Sequence, residues 1–211
     1  MWQQPSAPPR RMIVGISGAT GVVYGLRLLA VLRRLGIESH LVMTKAGERT
    51  LAHETDRTVR EVRAAADRWY PDADIGAAIA SGSFRTMGMV VAPCSVRSLA
   101  AIATGDTGGL LTRAADVCLK ERRRLVLMLR EAPLHAGHIR SMAAATESGA
   151  VVFPPVPAFY DRPASLEEMV DHTVGRVLDL FDVEAGLVRR WTGRPETDAR
   201  PEVAIEEETA P

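Results

Sequence analysis

Short apolar runs alternate with helix-period segments along most of this chain, and that alternation narrows its fold more than any other feature. The runs are RMIVGIS (11–17), ESHLVMT (38–44), MGMVVAP (87–93), RLVLMLR (124–130) and GAVVFPP (149–155). Each is almost continuously apolar, as a strand buried on both faces must be, whereas a strand with one wet face would alternate. Between them, helical spacing runs over 21–35, 45–54, 58–69, 95–103, 110–120, 137–148 and 165–182. In the first of these, Val22, Leu26, Leu29, Leu32 and Leu35 share one side. Strands that alternate with helices build a parallel sheet covered on both faces. The expected fold is therefore α/β, a doubly wound, mostly parallel sheet with helices on both faces, of the Rossmann or flavodoxin-like kind.

The 211 residues suit one domain with a full core. Residues 1–10 are rich in Pro, Gln and Ser, and the chain from Gly193 onward is polar and acidic, ending EVAIEEETAP. The expected organisation is a disordered segment over 1–10, a single domain over 11–192 and a flexible acidic tail over 193–211. Lys plus Arg and Asp plus Glu both count 26, so the basic excess that nucleic acid demands is missing. The densest basic run, ERRR (121–124), reads as a solvated loop before a strand. Cys94 and Cys118 make neither a disulfide framework nor a zinc site. No apolar run reaches the roughly 18 residues of a membrane span, and the N-terminus lacks the apolar core of a signal peptide. A cytoplasmic protein that touches neither membrane nor nucleic acid is expected.

In doubly wound folds ligands sit outside the C-terminal ends of the strands. That rule selects the loops 17–21, 44–45, 92–98, 130–135 and 154–160. The first loop carries Gly15, Gly18 and Gly21, and it matches neither the dinucleotide fingerprint nor the nucleotide P-loop. Its backbone amides, with the hydroxyls of Ser17 and Thr20, suit an anion; a turn that packs a helix tightly on a strand explains the same glycines. Thr44 is a helix N-cap beside Lys45, with Glu54 ten residues on as an acid or as a surface carboxylate. In APCSVRSLA (92–100), Ser95 is a second N-cap with Ser98 one turn later, and Cys94 is a nucleophile or a small buried residue. Arg113, Lys120 and Arg130 could converge on a phosphate, with Glu131 as an acid or base among them; an ion-pair network is the plainer reading. His135 and His138 lack a third metal ligand nearby and read as ordinary histidines at a helix start. PPVPAFY (154–160) is a stiff wall or lid, while Arg176 and Trp191 carry no local signal. These residues alone describe a site for a mononucleotide-like ligand and a second phosphate.

The same loops closely resemble the flavin prenyltransferase family, the UbiX/Pad-type proteins. The matching stretches, in the family's order, are GISGATGVVYGLRLL, TKA with ET ten residues later, SGSF, PCSVRSLAAIATG, LLTRAADVCLKERRRLVLMLREAPLH, GAVVFPPVPAFYDRP and the RW at 190–191, together spanning about 12–192. The resemblance implies transfer of a dimethylallyl group from its monophosphate to N5 and C6 of reduced FMN without a metal. Prenylated FMN then serves UbiD-type decarboxylases. It further implies that Gly18, Ala19, Thr20, Thr44, Ser95, Val96, Arg97, Ser98 and Arg130 hold FMN. Tyr160 and Arg176, helped by Arg113 and Lys120, hold the prenyl phosphate. Glu54 and Glu131 are acid/base carboxylates and Trp191 closes the site. A homo-oligomer, commonly a dodecamer with sites at subunit interfaces, is implied as well. Thr20, Gly108, Gly109 and Arg124 depart from the residues common in relatives, and none removes a group the chemistry needs. Monophosphate and pyrophosphate donors stay undistinguished, as does the downstream decarboxylase. The rival readings are an FMN-dependent decarboxylase and a non-catalytic flavin-binding subunit. Cysteine decarboxylases of this kind carry a mid-chain histidine, and no histidine lies between His53 and His135.

Overall fold

The computed structural model describes residues 10–190. Its strands are β1 (Arg11–Ile16), β2 (Glu38–Met43), β3 (Arg68–Pro71), β4 (Gly88–Cys94), β5 (Arg124–Leu129) and β6 (Val151–Val152). They form one parallel sheet in the order β3-β2-β1-β4-β5-β6. The helices are α1 (Val22–Arg34), α2 (Lys45–Glu54), α3 (Val59–Ala65), α4 (Val96–Thr104), α5 (Leu110–Lys120), α6 (Ala136–Glu147) and α7 (Leu166–Asp179). The expected doubly wound α/β fold is the observed one.

Alternation along β1 divides the core. Met12, Val14 and Ile16 join one apolar cluster with residues of α1, α2, α3 and α7. Ile13 faces the other way, into a cluster with α4, α5 and α6. The sheet thus has an α1/α7 face and an α4/α5/α6 face.

Two elements differ from expectation. The helical reading of 58–69 overran: α3, opened by a capping box between Thr58 and Glu61, ends at Ala65, and Arg68–Pro71 pairs with β2 as an edge strand. Trp69 and Tyr70 are strand-favouring, and four residues are too few to show a period. The strand expected over 149–155 shrinks to Val151–Val152, because Pro154 and Pro155 have no amide to give a ladder.

Candidate active site

The strand order reverses between β1 and β4, so their C-terminal ends open the crevice where doubly wound folds bind ligands. Ser17 fastens the two ends together. Its hydroxyl donates to the Pro93 carbonyl at 3.0 Å and accepts the Ser95 amide at 2.8 Å, with no exposed surface. That hydroxyl is therefore committed to the frame, and the expectation that it faces an anion is corrected.

The glycine turn satisfies both readings of its sequence. A Cβ on Gly18 would stand 2.4 Å from the Ala46 Cβ, so the turn is glycine because α2 presses on it. Gly21, with φ 98°, leads into α1 in the left-handed region. The anion seat at the start of α1 holds the chain's own Glu54, from the last position of α2. Its carboxylate accepts the Gly21 amide at 2.9 and 3.1 Å and the Val22 amide at 2.9 Å. Ala19 and Thr20 form the tip of the turn, Thr20 exposed.

Two further helix starts flank this one, each capped from within. Thr44 Oγ1 accepts the Gly47 amide at 3.0 Å, and Ser95 Oγ accepts the Ser98 amide at 3.2 Å while donating to the Ser98 hydroxyl. A helix leaves its first amides without intrahelical partners, which at α4 are those of Val96 and Arg97. Two such starts, one on each side of the β1 end, form an electropositive rim suited to a phosphate monoester.

Arg130 follows β5 and donates its amide to the Cys94 carbonyl at 3.1 Å. Its charge reaches Tyr24 on α1, with Thr173 of α7 also beside the phenol; burial raises the Tyr24 pKa while both neighbours pull it down. Tyr24 carried no signal beyond an aromatic one turn past the glycines, and sequence reasoning missed it. Glu131 is exposed beside Arg130 and accepts the Ala132 amide. On α7, His172 Nε2 stands 3.4 Å from the Tyr160 hydroxyl, and Arg176 pairs with Asp179 at 2.8 Å. His172 was also missed.

Arg113 and Lys120 do not join the α7 groups within one chain. They lie on α5, on the opposite face of the sheet from α7, and seven positions apart, or roughly 10 Å along the axis. Arg113 pairs with Asp116 at 3.3 Å and Lys120 with Glu121 at 2.7 Å. Arg113 and Lys120 are thus separated by the sheet from Arg176 within the single chain. Cys94 is fully buried and its thiol is pushed up to about 12, so it is the small core residue of the two alternatives. His135 caps α6 through Nδ1, and its ring lies against that of His138, tilted by 32° with centroids 3.7 Å apart; no group of three or more potential metal ligands stands among the described residues. Trp191 lies outside the described residues.

The Flavoprotein family model matches residues 3–189. The flavin prenyltransferase UbiX of Escherichia coli K12 is 57% identical over 187 residues, covering 87% of this chain and 99% of that one. This chain belongs to the flavin prenyltransferase family. Among solved structures, AnUbiX (PadA1) in complex with FMN and dimethylallyl pyrophosphate superposes with a TM-score of 0.87 at 51% identity, covering 89% of this chain and 100% of that one. A dodecameric FMN-dependent UbiX-like decarboxylase of E. coli O157:H7 superposes at 0.84 with 48% identity, covering 87% and 100%. No helix among the described residues is long and apolar enough to cross a membrane.

Proposed function

We propose that this chain moves a dimethylallyl group from dimethylallyl monophosphate to N5 and C6 of reduced FMN, in the cytoplasm, making the prenylated flavin used by UbiD-type decarboxylases. One observation carries the reading: at the strand-order switch, two hydroxyl-capped helix starts flank a third whose amides fix the Glu54 carboxylate. The rim fits a flavin phosphate, since it offers hydroxyls, backbone amides and the Arg130 guanidinium within one crevice. Gly18, Ala19, Thr20, Thr44, Ser95 to Ser98 and Arg130 are the residues proposed to hold FMN. When bound in its reduced form, FMN supplies the nucleophilic nitrogen and carbon.

The chain's own groups then have separable tasks. Tyr160 and Arg176 bind the donor's phosphate, and cations there stabilise the negative charge that grows on it as the carbon–oxygen bond breaks, without need of a metal. Glu54 is oriented by the α1 amides, and Glu131 by its place after β5; as the second bond forms, one carboxyl group can give a proton to the alkene carbon that becomes saturated and a carboxylate can take the one that leaves C6. Trp191 is proposed as a wall of the site. The positions of Arg113 and Lys120 support a site completed by a second copy, and a homo-oligomer, with the dodecamer of the E. coli relative as its model, follows from the same reading.

The test is anaerobic. Purified protein is mixed with reduced FMN and dimethylallyl monophosphate, and the released flavin is weighed by mass spectrometry. A flavin heavier by one five-carbon unit is expected. Bound FMN of unchanged mass would overturn the reading for this donor, and the same assay with the pyrophosphate would then separate a different donor from a flavin-holding subunit.

A further inference from the structure

We infer that Glu121 is a positioning residue of the donor site and that the SGSF turn (81–84) is its backstop: together they aim the Lys120 ammonium at the donor's phosphate. The inference rests on the prenyl-transfer reading above, with Lys120 as one of the phosphate's cations.

Of the stretches that resemble the family, SGSF alone has no task in the proposed function. The turn is fastened to the end of α5. The Arg123 guanidinium donates to the carbonyls of Gly82 and Phe84, the latter at 2.8 Å. Ser81 and Ser83 join hydroxyls at 2.8 Å, and the Phe84 amide closes the turn on the Ser81 carbonyl at 3.2 Å. The chain is anchored on either side as well. Ile79 is buried in the same cluster as α5, and Phe84 packs against that cluster, edge-on to His40.

Gly82 shows what the turn faces. A Cβ there would stand 2.1 Å from Glu121 Oε1, 2.7 Å from its carboxyl carbon and 2.9 Å from Lys120 Nζ. Gly82 is not one of the glycines with positive φ, so space and not backbone conformation keeps the position bare. Lys120 is the last residue of α5 and Glu121 its C-cap. The carboxylate accepts from Nζ at 2.7 Å, and both groups lie in the space that a side chain at 82 would fill.

That arrangement suits a phosphate cation. A lysine stem is flexible, and fixing it before the phosphate arrives removes an ordering cost from binding. An ammonium has three N–H groups; one goes to Glu121 and two stay for phosphate oxygens. The bond from Lys120, with a smaller pull from Arg123, holds the Glu121 carboxyl below its usual range. Glu121 therefore stays ionised, and Lys120, Glu121 and Arg123 together keep one net positive charge.

The experiment is a double-mutant cycle on the FMN-loaded protein, read by calorimetric binding of dimethylallyl monophosphate to the oxidised form and by KM and kcat of the reduced form. Glu121→Ala is expected to weaken donor binding about fivefold, the effect of one unfixed lysine stem, with FMN affinity, thermal midpoint and native mass unchanged. Glu121→Gln still offers an acceptor oxygen and should recover most of that loss. Gly82→Ala puts a methyl where the carboxylate lies and should weaken donor binding to a similar degree. Added to Glu121→Ala, it should cost less than about a further twofold. Unchanged donor binding in Glu121→Ala, equal damage from Gln and Ala, full additivity with Gly82→Ala, or parallel loss of FMN binding or of native mass would each overturn the inference. Lys120→Ala separates the inference from what it rests on, and should weaken donor binding more than Glu121→Ala does. If it leaves binding intact, the inference falls while prenyl transfer stands. A wild-type protein that neither binds nor consumes the donor would take the prenyl-transfer reading down as well.

Discussion

At Gly18 one hydrogen atom stands where any other residue would put a carbon, 2.4 Å from the Ala46 Cβ, with the Ala46 carbonyl carbon at 3.1 Å behind it. Gly18→Ala is expected to cost about 1–3 kcal/mol, the range for overpacked sites, and so to lower the thermal midpoint by several degrees. Adding Ala46→Gly removes the nearest clashing atom and should return part of that loss; if the double variant is no more stable than Gly18→Ala alone, the close approach is not what requires the glycine. The packing role of Gly18 and the anion seat at Gly21 were both legible in the sequence, but not which anion takes the seat. Glu54 lies 33 residues away along the chain, and only the return of α2 across the sheet brings its carboxylate to the Gly21 amide. Ser17 shows the converse. A serine in a glycine-rich turn looks like a ligand donor, and the 76-residue separation from Pro93 hides that its hydroxyl ties β1 to β4.

Among the elements, the four long strands were readable because burial on both faces makes β1, β4 and β5 almost wholly apolar and leaves β2 the apolar run Leu41–Met43. The sheet's short edge was not, since β3 is four residues of mixed exposure whose stability comes from its partner. That partner carries a buried titratable group. His40 on β2 stacks on Tyr70 of β3 and bonds its hydroxyl at 2.9 Å, with Phe84 edge-on and Glu38, Arg11 and Arg68 as the nearby charges. Burial lowers the His40 pKa, outweighing the pull of Glu38. The folded chain then refuses a proton that the unfolded chain accepts, so stability present above the unfolded value, about 6.5, is lost as pH falls toward the lower folded value. The thermal midpoint should therefore decline from pH 7 to 5.5 more steeply in the wild type than in His40→Gln. Glu38, lowered mainly by its bond to Arg11, belongs to a more acidic window and should leave its slope in both proteins. Equal slopes above pH 5.5 would remove His40 as the cause.

For the whole molecule, the decisive fact is the two-faced sheet. The seven sequence stretches that resemble the family come in one order along the chain, and nothing in that order says which face each occupies. The structure sends α7, with Arg176, to one face and α5, with Arg113 and Lys120, to the other. If all these cations serve one donor phosphate, each site must take α5 from one copy and α7 from another. Co-expression tests this directly. Lys120→Ala and Arg176→Ala are each expected to lose most prenyl transfer when made alone. In randomly mixed oligomers, a site drawing its lysine from one chain and its arginine from a neighbour finds both intact about a quarter of the time, so activity should recover to about a quarter of wild type. A site built from a single chain is never whole in such a mixture, because every copy lacks one cation or the other. Activity that stays at the level of the separate variants would therefore place both side chains in the same protomer's site, or remove one of them from the site altogether. Recovery would mean that the catalytic unit is the contact between copies, and that dilution to monomers should abolish turnover while the fold persists.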